Sequence, residues 1–127
     1  MDIIKIMAVD DEESFLSLLK LNLEGTGEFE VFALSDSREA ILKAKRIKPD
    51  VIILDINMPD IDGPTVCSKL AEDIDTKNIP IIFLTALITK EEEDEYKKRM
   101  GGRSYSYVAK PVDTDKLIST IKDAAGK

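Results

Sequence analysis

The chain is 127 residues long and 43% hydrophobic, which suits one domain with its own core, and 18 basic against 25 acidic side chains leave a net charge of −7. It has no histidine and one cysteine, Cys67, which excludes Ser-His-Asp and Cys-His catalysis, Cys/His zinc sites and an intrachain disulfide. The acidic balance argues against bulk-charge binding to nucleic acid or an anionic membrane, and no apolar run approaches the ~20 residues of a membrane span.

Residues 3–9 open the chain as a nearly continuous apolar run of strand length, and Asp10 and Asp11 follow directly. Phe15, Leu18, Leu19 and Leu23 then recur at helical spacing. Phe29–Leu34 is a second, weaker strand without chemistry at its end. Ser37 is the expected N-cap of a second helix bearing Ala40, Ile41, Ala44 and Ile47. Lys48-Pro49-Asp50 ends it, because proline disfavours helical geometry just before itself. Residues 51–54 form a third strand closed by Asp55, and Val66, Leu70 and Ile74 mark a third helix after Gly63-Pro64. Residues 79–84 form a fourth strand closed by Thr85. Residues 91–100 form a fourth helix, in which Glu93 with Lys97, Asp94 with Lys98 and Glu95 with Arg99 are favourable pairs four apart. That pattern describes a solvated helix and is compatible with a docking surface. Residues 105–109 form a fifth strand closed by Lys110-Pro111. Asp113 is the expected N-cap of a fifth helix with Leu117, Ile118, Ile121, Ala124 and Ala125 on one stripe.

Five strands with helical crossovers make an α/β fold, a (βα)5 doubly wound parallel sheet with helices on both faces. Strands buried on both faces read as continuous apolar runs, as the first, third and fourth do. Ligands of such sheets bind at the carboxyl ends of the strands. Taken singly, the residues there have ordinary readings. Asp10 or Asp11 caps the first helix, Asp55 is a turn residue, Thr85 starts a helix and Lys110 is a loop lysine. Together they put three carboxylates, a hydroxyl and an ammonium at one sheet edge. Close carboxylates raise one another's pKa unless a cation joins them, and an oxygen-only cage suits Mg²⁺. A carboxylate beside that metal is a nucleophile for phosphorus, with Lys110 and Thr85 able to meet the equatorial oxygens.

On these residues the sequence closely resembles the receiver domain of two-component response regulators, of the kind seen in the bacterial chemotaxis regulator. The resemblance rests on Val9-Asp10-Asp11, Leu54-Asp55-Ile56-Asn57-Met58-Pro59-Asp60-Ile61-Asp62-Gly63, Thr85-Ala86 and Lys110-Pro111, and covers essentially the whole chain. It implies a flavodoxin-like sheet of strand order 2-1-3-4-5. It implies Asp55 as phosphoacceptor, with Mg²⁺ held by Asp10, Asp11, Asp55 and the backbone carbonyl of Asn57. Thr85 and Lys110 would meet the phosphoryl group, and Tyr107 would be the aromatic switch that follows Thr85. Without the resemblance, Tyr107 reads as an ordinary half-buried strand tyrosine. The family's donor is a phosphohistidine on a sensor histidine kinase or histidine phosphotransfer protein, which this histidine-free chain must receive in trans. The face of the fourth helix, fifth strand and fifth helix is the implied output surface, towards an effector or a fused output domain. The protein would promote only its own phosphorylation and dephosphorylation.

Some residues depart from the family pattern. The segment from Gly101 to Tyr107 is one residue longer than usual, and Val112 stands where phenylalanine often follows Lys-Pro. Leu87 and Asn57 occupy positions that tune phosphoryl lifetime. Two other readings compete. A Mg²⁺-dependent aspartyl-phosphate phosphatase or phosphotransferase would want an acid/base aspartate where Asn57 stands. A flavin-binding module would want a phosphate loop where Asp10-Asp11-Glu12-Glu13 would repel the anion. The expected organisation is one receiver domain over residues 1–127, either a complete regulator or the receiver of a longer one. The expected setting is cytoplasmic and reducing, for a monomer or a phosphorylation-dependent dimer that binds neither nucleic acid nor membrane.

Overall fold

A computed structural model of the chain describes residues 2–86, 89–99 and 105–126, without the side chains of Glu93, Tyr96, Lys97 and Arg99. Leu87, residues 101–104 and the Glu93–Lys97 and Glu95–Arg99 pairs therefore lie outside the description. The elements run β1 Ile4–Val9, α1 Glu13–Glu24, β2 Phe29–Leu34, a 3-10 turn Ser37–Glu39 into α2 Ala40–Ile47, and β3 Val51–Asp55. Then come α3 Gly63–Glu72, β4 Ile81–Thr85, α4 Lys90–Arg99, β5 Ser106–Ala109 and α5 Thr114–Ala125. All strand pairs are parallel, in the order β2-β1-β3-β4-β5.

The sheet is buried between two apolar layers. On one face Ile6, Ala8, Val31 and Ile53 meet Leu16, Leu19 and Leu23 of α1 and Leu117 and Ile121 of α5. On the other, Met7, Val9, Ile52, Leu54 and Phe83 meet Ala40 and Ala44 of α2 and Val66, Cys67 and Leu70 of α3. Every residue of β3 and β4 is buried, the apolar runs up to Leu54 and Leu84 as expected of strands covered on both faces, and with them the polar end residues Asp55 and Thr85. Among the described residues, no helix is long and apolar enough to cross a membrane.

Several expected details shift. The buried stripe of α1 is Leu16, Leu19 and Leu23, while Leu18 is 57% exposed and Phe15 lies at the margin of the layer. Helix α3 stops at Glu72, so Ile74 is outside it and 79% exposed. Asp73 causes the stop: its carboxylate accepts from the Asp75 N–H at 2.9 Å, an alternative to continuing the helix. Thr76 then donates to the Leu70 carbonyl at 2.7 Å and satisfies the helix end. Strand β4 starts at Ile81 because the Ile79 N–H turns back to Thr76, and Pro80 has no N–H to offer a ladder. Asp36, not Ser37, caps the turn into α2, accepting from the Arg38 N–H at 3.0 Å. Asp113 caps α5 as expected, and Lys48 ends α2 at a left-handed φ of 52° ahead of Pro49.

Candidate functional site

The carboxyl ends of β1, β3, β4 and β5 deliver Asp10, Asp55, Thr85 and Lys110 side by side. Backbone bonds extend the ladder through them, from Asp10 N–H to Leu34 at 3.1 Å, Ile56 N–H to Leu84 at 3.1 Å and Lys110 N–H to Thr85 at 2.9 Å. Carboxylate oxygens of Asp10, Asp11 and Asp55 lie within 4.8 Å of one another. Asp10 is fully buried and Asp55 is 6% exposed, whereas Asp11 faces solvent. One oxygen of Asp10 accepts from the Glu12 N–H at 2.9 Å, but Glu12 is the N-cap residue of α1 and no side chain caps that end, so neither Asp10 nor Asp11 caps the helix.

Lys110 enters from β5 just before a cis bond to Pro111. Its ammonium donates to Asp10 Oδ2 at 2.7 Å and lies 3.7 Å from Asp55 Oδ1 and 3.6 Å from Glu12 Oε1. The ring of Phe15 covers its other side at 4.4 Å from the centroid, a favourable cation–π position. Burial pulls the ammonium's pKa down. The hydrogen bond and charge of Asp10, with the charges of Asp55 and Glu12, outweigh burial and leave it raised.

Burial pushes the Asp55 carboxyl up to about 6, and the Asp10 charge adds to the rise. Lys110 opposes it, Asp11 adds a smaller repulsion, and a hydrogen bond from the Asn57 backbone lowers it slightly. The charged Asp55 is thus under-compensated, as expected of a site short of one cation. Thr85 ends β4 beside Asp55, but its hydroxyl donates to the adjacent Ala86 carbonyl. Tyr107 sits on β5 opposite Phe83, with the rings stacked at 5.6 Å between centroids. The structure therefore gathers Asp10, Asp11, Asp55 and Lys110, and leaves Thr85 and Tyr107 turned to other partners.

Phe15 reads from the sequence as one more position of the α1 stripe, and only its lateral placement sends it to Lys110. Gly63 reads only as the residue ahead of the third helix and as part of the motif after Asp55. A Cβ there would press inside contact distance of the Asp55 backbone oxygen, so glycine is what lets α3 start against the phosphoacceptor candidate.

Residues 6–122 match the family model described as the response regulator receiver domain. The chain is 38% identical over 120 residues to the alkaline phosphatase synthesis transcriptional regulatory protein PhoP of Bacillus subtilis, covering 93% of this chain but 47% of that protein. It is 32% identical over 121 residues to the polar-differentiation response regulator DivK of Brucella anthropi, covering 95% of each. The chemotaxis protein CheY4 of Vibrio cholerae superposes with a TM-score of 0.84 at 30% identity, over 97% of this chain and 99% of that one. The chain thus spans about half the length of some relatives and nearly all of others. With the family match running from β1 into α5 and enclosing the whole acidic cluster, the chain belongs to the receiver domain family of two-component response regulators.

Proposed function

We propose that Asp55 is the phosphoacceptor of a phosphorylation switch and that residues 1–127 form one receiver domain. The carrying observation is the convergence of three carboxylates within 4.8 Å, with Lys110 3.7 Å from Asp55. The donor set suits Mg²⁺: it is all oxygen, it is mostly buried, and its one ammonium leaves acidic charge uncompensated. Asp10, Asp11, Asp55 and the Asn57 carbonyl would hold the ion. Bound there, Mg²⁺ supplies charge against the equatorial phosphoryl oxygens.

In the transfer, an Asp55 carboxylate oxygen forms the new bond to phosphorus as the phosphorus–nitrogen bond of a phosphohistidine breaks. The imidazole leaves with the electron pair of that bond. Lys110, already 3.7 Å from Asp55, meets a phosphoryl oxygen. Thr85 exchanges its bond to Ala86 for one to the phosphoryl group, and Tyr107 follows the vacated space. The α4-β5-α5 face then carries the change to a partner or output domain. The donor is a sensor histidine kinase or a histidine phosphotransfer protein. The setting is cytoplasmic, the chain acts as a monomer or a phosphorylation-dependent dimer, this domain does not contact nucleic acid directly, and its only chemistry is on itself.

Acetyl phosphate with Mg²⁺ should add one phosphoryl group, read by intact mass. Omitting Mg²⁺ or changing Asp55→Ala should abolish the gain. An unchanged wild-type mass, or labelling that survives Asp55→Ala, overturns the assignment. Sustained turnover of phosphomonoesters would favour a phosphatase instead.

A further inference from the structure

The loop between β3 and α3 carries Asn57 and is closed at its base by a hydrogen bond from the Gly63 N–H to the Ile56 carbonyl at 2.9 Å. Its tip is unusual. The Ile61 N–H donates to the Pro59 carbonyl at 2.8 Å, a bond that spans the single residue Asp60. Asp60 is not glycine, yet its φ is 68°. A three-residue turn of this hand is rare and strained, and persists only where surrounding contacts over-determine it.

Ser37 supplies such contacts from a distant part of the chain. It is 4% exposed, and its hydroxyl touches both ends of the turn. It donates to the Pro59 carbonyl at 3.2 Å and accepts from the Ile61 N–H at 3.3 Å. Arg38, gripped by Asp36 at 2.9 and 3.0 Å, lies 3.8 Å from the Asp60 carboxylate and flanks the same turn. Asp36 takes over the capping of Ser37–Glu39, which leaves the serine hydroxyl available to the loop.

We infer that Ser37 is a positioning residue for the metal: its hydroxyl staples the strained turn at Asp60 and so fixes the loop backbone that carries Asn57, whose carbonyl is assigned above to the ion. This rests on the metal assignment proposed above. Removing the hydroxyl lets the turn relax towards ordinary φ values. Pro59 is two residues from Asn57, so the relaxation displaces the carbonyl without touching any carboxylate.

The test is Mg²⁺ titration calorimetry on the full chain, with exchange of the Ile61 amide and urea unfolding read in the absence of metal. Ser37→Ala is the main variant, and Ser37→Gly deletes the same hydroxyl as a second. Thr76→Val is the control, because it removes a 1% exposed hydroxyl beyond the far end of α3. Loss of supporting contacts around a metal commonly weakens binding by about tenfold. The expected result is an Mg²⁺ dissociation constant raised by about that factor in both Ser37 variants, with faster Ile61 exchange. Thr76→Val should lose stability yet keep the wild-type constant. An unchanged constant in the Ser37 variants overturns the inference, even if they are less stable. An equal rise in Thr76→Val also overturns it, by showing general loosening. Wild-type chain without Mg²⁺ affinity instead overturns the metal assignment, and this inference with it.

Discussion

Asp55 sits where a carboxylate is least comfortable, and that discomfort has a sign. Its folded pKa, about 6, lies above the ordinary 3.8, so the folded chain holds that proton more tightly than the unfolded chain does. The stability linked to it is complete below pH 3.8 and is lost as pH rises through about 6. At pH 7 the ionised group costs the metal-free fold on the order of 3 kcal/mol. Asp55→Asn keeps the shape and drops the charge, so it should raise metal-free stability at pH 7 by up to about that amount. The gain should vanish below roughly pH 4, where wild-type Asp55 is itself neutral. Urea unfolding at both pH values without divalent metal checks this, and equal midpoints at pH 7 would contradict it. The cluster residues were legible because each is a polar side chain placed just after an apolar run. Phe15 and Ser37 were not, because an aromatic on an amphipathic helix and a serine before one have commonplace uses. Only the packing shows that Phe15 covers the Lys110 ammonium and that Ser37 reaches the loop after β3.

At the level of elements, the start of α3 and the edge of the sheet are set by close contacts. Gly63 is buried, and its missing Cβ is what allows α3 to begin against the backbone of Asp55 and Ile56. Gly63→Ala must push the helix start or the strand end aside. Overpacking of this kind typically costs about 1–3 kcal/mol, and here the displaced atoms carry Asp55. The expected outcome is a lower urea midpoint together with weaker Mg²⁺ binding. A stability loss with unchanged Mg²⁺ affinity would show that only the helix moved. At the sheet edge, Val31 of β2 keeps its side chain in the core while its outer backbone groups are engaged, the N–H accepted by Glu24 at 3.0 Å and the carbonyl bonded by Lys20 at 3.0 Å. The two side chains lie one helical turn apart on α1, 3.8 Å from each other. This clamp occupies backbone groups that would otherwise template a second chain. Lys20→Ala with Glu24→Ala should therefore associate further than wild type at high concentration, as read by sedimentation velocity, and an unchanged distribution would assign the pair no such role. Element types followed directly from apolar periodicity, whereas their ends depended on local polar competition. Asp73 ending α3 and Pro80 delaying β4 are side-chain and backbone hydrogen-bond effects that an apolar pattern does not encode.

For the whole molecule, the sequence pattern was enough to specify a five-stranded parallel sheet covered on both faces, because β1, β3 and β4 are apolar on both sides and their connections are helical. It was also enough to bring the candidate residues to one edge, since such a sheet puts the ends of β1, β3 and β5 on the same side. The same geometry ties the site to global stability. Asp10 follows β1 and Asp55 ends the central strand β3 beside it, and both are buried, so their repulsion acts on the core. A divalent cation that joins them binds the folded chain and has no comparable site in the unfolded one. It must then stabilise the fold by mass action, by about 2.7 kcal/mol at a free concentration of 100 times the dissociation constant. For a domain of this length that is a rise in melting temperature of roughly 10 °C. Asp55→Asn, the more stable form without metal, weakens the site and should gain much less. The two stability curves should therefore converge as Mg²⁺ is raised at pH 7, wild type below the variant at zero metal and about level with it at roughly 100 times the wild-type dissociation constant. Calorimetric scans over a Mg²⁺ series test this. Parallel curves would mean that the cation binds elsewhere, and that the strain on Asp55 is not what metal relieves.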